Sequence, residues 1–200
     1  MTVESLPLAV VWPYAGAFWA TLVWAMLPEG RLMRATRAEA VAGPQDAGSC
    51  RVIVVANMLA GGLAFALAFG CPATAMSAHR YAAFWAGVAL LAGGSALRRH
   101  CFAMLGASFT GAVTVRPGQI VVERGAYRRV RHPSYTAGVL MFAGIGLALT
   151  NWLSLLVITV APVVAYAYRV RVEERALAET LGEPYLEYMR RTKRFVPFII

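Results

Sequence analysis

Two polar clusters hold what chemistry this chain can do. In the first, Arg128-Arg129-Val130-Arg131 runs into His132-Pro133-Ser134-Tyr135. Proline fixes its own φ and biases the preceding residue away from helix, so Pro133 starts a helix and His132 stands just outside it. Ser134 and Tyr135 then occupy a first turn whose N–H groups and dipole favour a carboxylate or phosphate. In the second cluster Arg169 and Glu173 are four apart, hence on one face of a helix. A carboxylate and an arginine brought beneath a helix start can hold a ligand carrying both charges. As a plain surface pair they would add only a few tenths of a kcal/mol. Arg171, Glu174 and Arg175 are expected on the other faces, as solvated surface.

The elements that must position these clusters are apolar. The chain of 200 residues is 59% hydrophobic and 14% charged, with a mean hydropathy of +0.58, which excludes an ordinary soluble domain. Its charges are clumped, leaving 5–28, 52–78, 81–97 and 133–168 free of them. A spanning helix needs about 20 apolar residues. The last stretch is long enough for two, with Thr150-Asn151-Trp152 in its middle, a turn former beside an interfacial Trp. The sequence therefore predicts an all-α integral membrane protein with about five transmembrane helices, over 6–27, 52–70, 81–105, 133–150 and 152–168. The last two form a tight helical hairpin. Residues 169–200 form a cytoplasmic helical cap, with a short helix over Pro184–Arg191. Pro28-Glu29-Gly30 is expected to end the first span.

The basic residues orient this arrangement. With five spans, eighteen of the nineteen Lys and Arg fall on one side, and Arg80 alone on the other. Positive charge stays cytoplasmic, so the N-terminus is expected outside and the C-terminus inside. The net charge of +9 then lies on the face that anionic headgroups attract. No aromatic-interleaved basic motif accompanies it, so nucleic acid is not an expected partner. The first apolar stretch follows Glu4 and exceeds the apolar core of a cleaved signal, so it reads as a span. Cys50, Cys71 and Cys101 match neither a disulfide framework nor a metal site, and read as packing residues. Gly61-Gly62 and Gly93-Gly94 are small enough for close helix approach, or to line a cleft. Arg116-Pro117-Gly118-Gln119 signals a turn, followed by Ile120-Val121-Val122 as a short extended or loop segment.

Several motifs in register carry a resemblance. Gly125-Ala126-Tyr127, Arg131-His132-Pro133-Ser134-Tyr135 with Gly138, Arg169 with Glu173-Glu174, Leu181-Gly182-Glu183-Pro184-Tyr185-Leu186-Glu187-Tyr188 and Phe195-Val196-Pro197-Phe198-Ile199 together resemble the isoprenylcysteine carboxyl methyltransferases. That family is related to the phospholipid N-methyltransferases. The resemblance covers Gln119 to Ile199, while residues 1–110 share only hydropathy. It implies an integral membrane enzyme of the cytoplasmic face, using S-adenosyl-L-methionine and releasing S-adenosyl-L-homocysteine. Carried over by position, the cofactor residues are Gln119, Ile120, Val121, Val122, Tyr127, His132, Pro133, Ser134, Tyr135 and Glu173. Arg169 would meet the acceptor. Gln119-Ile120 departs from the His or Thr of the eukaryotic enzymes.

The chemistry suits those types. Glu173 can pair an amino group or ribose hydroxyls, the helix start can take a carboxylate, and Tyr127 can face a sulfonium. Methyl transfer to a carboxylate or thiolate needs orientation and desolvation but no base. A phenol would need one, and His132 is the candidate. The expected partners are membrane lipids and a lipophilic or lipid-modified acceptor, an isoprenyl or alkyl carboxylate or thiol foremost, with no metal. No glycine-rich nucleotide loop follows a strand, which excludes a soluble Rossmann methyltransferase. The alternatives are an NADPH-dependent membrane reductase of the sterol-reductase type, larger and with more spans, and a noncatalytic membrane scaffold. Eighteen Arg to one Lys suggests a prokaryotic source.

Overall fold

The computed structural model describes residues 6–39, 46–106, 113 and 119–195. The expected turn at Arg116-Pro117-Gly118, and Val196 to Ile199 of the closing motif, lie outside them. Six α-helices carry the described chain: α1 Tyr14–Glu39, α2 Ser49–Gly70, α3 Arg80–Leu105, α4 Pro133–Ala148, α5 Trp152–Leu181 and α6 Glu183–Arg191. Among the described residues there is no strand, only isolated bridges between Ala75 and Asn151 and between Val130 and Lys193. Ile120-Val121-Val122 is accordingly loop.

Ser49–Gly70 and Trp152–Leu181 are long and apolar enough to cross a membrane, and Tyr14–Leu27 and Pro133–Ala148 are shorter apolar stretches. Their outward faces carry Trp19, Val23, Leu59, Leu63 and Val164 in the open, with Met58 72% exposed, and α3 adds Trp85. Water would penalise such a contiguous apolar surface, whereas lipid would not. Inside, Phe18, Phe84, Leu91, Met141, Ile145 and Ile158 form one core.

Glycine sets the spacing of α3 and α4. A Cβ on Gly144 would stand 2.6 Å from Gly87 O and Leu91 N, and one on Gly94 would stand 2.8 Å from Met141 Cγ. These backbones meet because no side chain intervenes. Gly61, Gly62 and Gly93 have nothing within 4 Å of such a Cβ, so of the two pairs only Gly94 makes a close approach.

Two helices continue beyond the apolar stretches read as their spans. α1 does not stop at Pro28-Glu29-Gly30 but runs to Glu39, and it begins at Tyr14, after a 3-10 turn at Leu8–Val10. Pro28 has no N–H to offer the Trp24 carbonyl, a loss that ordinarily breaks a helix. Arg99 supplies the missing donor at 2.5 Å, its guanidinium 4.3 Å from the Trp24 ring. α5 likewise does not pause at Arg169. It is one helix of 30 residues, about 45 Å at 1.5 Å per residue, so its last third projects beyond a hydrocarbon core of about 30 Å.

The turn between α4 and α5 organises one end of the bundle. Asn151 caps α5, its Oδ1 accepting from Ser154 N at 3.0 Å, while its amide donates to Cys71 O at 3.1 Å. Thr150 adopts φ +50° and its carbonyl accepts from Met76 N at 2.8 Å. Ser154 Oγ donates to Ala64 O at 2.7 Å, joining α5 to α2. The polar clusters therefore lie at the opposite end.

Candidate functional site

Pro133 opens α4, and His132 is its N-cap at φ −125°, ψ 51°. The chain before it is pinned to the tail: Arg131 N donates to Lys193 O at 2.7 Å, His132 N to Arg194 O at 2.9 Å, and Lys193 N to Arg129 O at 3.1 Å. This pairing occupies the main chain ahead of the helix start and closes it from water. Ser134 is buried behind it, its carbonyl accepting from Arg98 Nη1 at 2.7 Å.

α5 meets this turn with adjacent carboxylates that anchor two separate networks. Glu173 Oε2 accepts from Tyr135 Oη at 2.7 Å, and Arg169 Nε donates to the same Oη at 3.2 Å. Arg169 Nη1 donates onward to Ser49 Oγ at 2.7 Å and to Asp46 Oδ1, forming a buried ion pair. Asp46 also accepts from Cys50 N at 3.0 Å and Val113 N at 2.9 Å. Burial opposes its charge, but those N–H groups and the Arg169 charge outweigh it and hold the carboxyl below its usual range. A chain Asp46–Arg169–Tyr135–Glu173 thus joins the start of α2 to α4 through α5.

The second network corrects the sequence reading of Glu174. Glu174 is 4% exposed instead of solvated, while Arg171 and Arg175 do face outward. Arg131 Nε approaches Glu174 Oε1 at 2.9 Å, Arg194 Nη2 approaches Oε2 at 2.8 Å, and His132 Nε2 lies 3.3 Å from Oε1. Burial would raise the Glu174 carboxyl, yet bonds from His132, Arg194 and Arg131 hold it down to about 2. The periodicity of α5 cannot show this, because the cations arrive from the pre-α4 turn and the tail.

Tyr127 sits in the 3-10 turn Gly125–Arg128, buried, its carbonyl accepting from Tyr188 Oη of α6 at 2.6 Å. Tyr185 is buried on the same helix, its ring 6.0 Å from that of Tyr188. The hydroxyl of Tyr185 has no hydrogen-bond partner among the described residues, while the side chain of Tyr127 meets that of Ser134. Gln119, Val121 and Val122 are half-buried loop, and Ile120 is 82% exposed, outside the polar cluster. The structure thus gathers His132, Ser134, Tyr135, Arg169 and Glu173 about one helix start, with Tyr127 beneath. Sequence reasoning missed Asp46, Glu174 and Tyr185 as members. Asp46 carries no local signal, whereas the Glu173-Glu174 and Tyr185-Leu186-Glu187-Tyr188 motifs were visible but not resolved by face. A groove of about 380 Å³ lies alongside, between Leu97, Pro133, Thr136 and Phe195, with Arg128 and Arg129 at its edge. The described residues hold no cluster of metal-ligating type.

The chain is similar to known proteins in sequence and fold. The phospholipid methyltransferase family model matches residues 82–184. Protein-S-isoprenylcysteine O-methyltransferase B of Arabidopsis thaliana is 30% identical over 115 residues, 56% of this chain and 58% of that protein. The Saccharomyces cerevisiae protein-S-isoprenylcysteine O-methyltransferase is 35% identical over 80 residues, 40% of this chain and 34% of its own. A solved eukaryotic intramembrane Ras methyltransferase, ICMT, superposes with a TM-score of 0.60 at 24% identity, over 73% of this chain and 52% of that one. The match spans under two thirds of the length of these curated relatives.

Proposed function

The chain belongs to the phospholipid methyltransferase family, matched over residues 82–184, and on that premise we propose that it transfers a methyl group from S-adenosyl-L-methionine to a lipophilic acceptor at the cytoplasmic membrane face. The acceptor class we favour is an isoprenyl or alkyl carboxylate or thiol, as the names of the isoprenylcysteine O-methyltransferase relatives suggest. Five spans, with the N-terminus outside and the tail cytoplasmic, complete the reading.

One observation carries it: a hydrogen-bonded Arg169–Tyr135–Glu173 chain, its arginine buried, stands at the junction of an apolar bundle and a polar cap. Such a row of paired charges suits a polar ligand whose body is partly apolar. The residues assigned to the cofactor are Gln119 to Val122, Tyr127, His132, Pro133, Ser134, Tyr135 and Glu173. When bound, the cofactor supplies an electrophilic methyl group on a sulfonium.

Everything else falls to the chain. Glu173 receives amino or hydroxyl donors, and Tyr135 fixes its direction by donating at 2.7 Å. Arg169, held by Tyr135 and Asp46, presents a positioned cation to an acidic acceptor, which must compete with Asp46 for it. His132 is engaged through Nε2 with Glu174 at 3.3 Å, so we assign it to shaping the cofactor turn instead of proton removal. A carboxylate or thiolate acceptor needs no base. The tail, paired to the pre-α4 turn, keeps water from the helix start.

Calorimetric titration of detergent-purified protein with S-adenosylhomocysteine and, separately, NADPH tests the proposal. Binding of the first alone is expected. Binding of NADPH alone would replace the methyltransferase by a reductase, and binding of neither by folded protein would leave a scaffold.

A further inference from the structure

The arginines around the first turn of α4 are mostly spoken for. Arg98 donates to Ser134 O, Arg124 to Met104 O, and Arg131 and Arg194 pair with Glu174. Arg128, closing the 3-10 turn Gly125–Arg128, is exposed and makes no hydrogen bond or ion pair among the described residues. Arg129 follows it, also exposed. Both stand at the edge of the groove of about 380 Å³, whose floor is Leu97 of α3, Val130, Pro133 and Phe195 of the tail. None of the described residues lining it is a carboxylate. The groove lies where the hydrocarbon ends. Leu97 closes the uncharged stretch of α3, Arg98 and Arg99 follow, and the Arg99 guanidinium sits 4.3 Å from the Trp24 ring, a pairing that suits the headgroup layer. It also stands apart from the polar cluster. Tyr135 turns toward α5, bonded to Glu173 and Arg169, with its ring 5.0 Å from that of Tyr166. Thr136, the next residue, lines the groove and donates to Phe195 O at 2.8 Å. α4 therefore separates the two places.

We propose that this groove binds an anionic phospholipid of the cytoplasmic leaflet, its phosphate on Arg128 and Arg129 and an acyl chain along the apolar floor. The inference goes beyond the methyltransferase reading and takes from it only the orientation of the bundle. Two guanidinium groups with no lining carboxylate call for an anion, and a guanidinium meets phosphate oxygens with paired N–H donors. A zwitterionic lipid brings its own cation, which the same arginines repel. The floor calls for a chain on that anion, because a free phosphate would leave Leu97 and Phe195 facing water. The methyl acceptor is the poorer occupant, since a molecule lying there is held on the α3 side of α4, away from Arg169 and Glu173.

Native mass spectrometry of detergent-purified protein, titrated with phosphatidylglycerol, phosphatidylcholine or glycerol 3-phosphate, reads the affinity of the first molecule bound. Wild type is expected to take phosphatidylglycerol ahead of the other two. Arg128→Gln should weaken it about fivefold, as for one basic side chain near an anionic surface, and adding Arg129→Gln should weaken it further. Arg171→Gln removes the same charge from the exposed face of α5 and should leave that affinity unchanged. An equal loss in Arg171→Gln overturns the site and leaves only the general attraction of a basic face. Phosphatidylcholine binding as tightly as phosphatidylglycerol overturns the anionic assignment, and glycerol 3-phosphate binding as tightly overturns the lipid one. Calorimetry of Arg128→Gln with S-adenosylhomocysteine keeps the two readings apart. Its affinity should match wild type, and a loss there would assign the groove to the cofactor and overturn the inference. Wild type that binds phosphatidylglycerol but no S-adenosylhomocysteine would sink the methyltransferase reading and leave this one standing.

Discussion

Glu173 and Glu174 are neighbours in sequence and answer to different parts of the molecule. Glu173 takes one bond from Tyr135 and faces the cofactor side of the reading, so Glu173→Gln is expected to weaken S-adenosylhomocysteine at least tenfold by calorimetry while the melting temperature changes little. Glu174 is a structural anion for Arg131, His132 and Arg194. Glu174→Gln leaves the buried Arg131 without its counterion, and a loss of about 3–5 kcal/mol is expected, read as a lowered melting temperature in detergent. The pH dependence follows from the sign of its shift. Its folded-state carboxyl sits at about 2, below the ordinary 4.5. The stability it contributes is therefore complete above about pH 5 and is lost as pH falls toward 2. Wild type should show that acid limb in a melting series, and Glu174→Gln should flatten it.

Among the elements, the α3–α4 contact is the least forgiving. Backbone atoms of Gly87 and Leu91 stand where a Gly144 side chain would be. Gly144→Ala should cost about 1–3 kcal/mol or more, since two helix backbones must separate to admit a methyl group. Gly61→Ala, with open space around it, should be neutral or stabilising because alanine favours helix by about 1 kcal/mol over glycine. Paired thermal melts of the two variants check the contrast, and equal losses would show that the helices do not meet at these glycines. α1 makes the complementary point: where Pro28 offers no N–H, Arg99, a residue of α3, donates to Trp24 O.

For the whole molecule the proposal fixes which end faces which compartment, and α2 offers a direct reading. Cys50 and Cys71 lie at its two ends, about 31 Å apart along the helix axis, and both are half-exposed free thiols. With the proposed orientation, a membrane-impermeant maleimide added to intact cells should label Cys71→Ser protein only after permeabilisation, whereas Cys50→Ser protein should label at once. The opposite pattern would invert the topology, moving the site to the outer face.

How much of this was legible beforehand follows from the range of each interaction. Clumped charge and apolar length marked the helices, Pro133 marked the start of α4, Asn151 marked the turn, and four-residue spacing put Arg169 and Glu173 on one face. Each of these depends on residues within a turn or two along the chain, so the sequence by itself determined them. The tertiary structure decided the partners. Arg169 meets Asp46 across 123 positions, Glu174 turns inward because Arg131, His132 and Arg194 surround it, and Tyr188 finds the carbonyl of Tyr127 across 61. A helical period says which residues share a face but not which face is covered, and a buried charge is tolerated only where folding delivers its counterions.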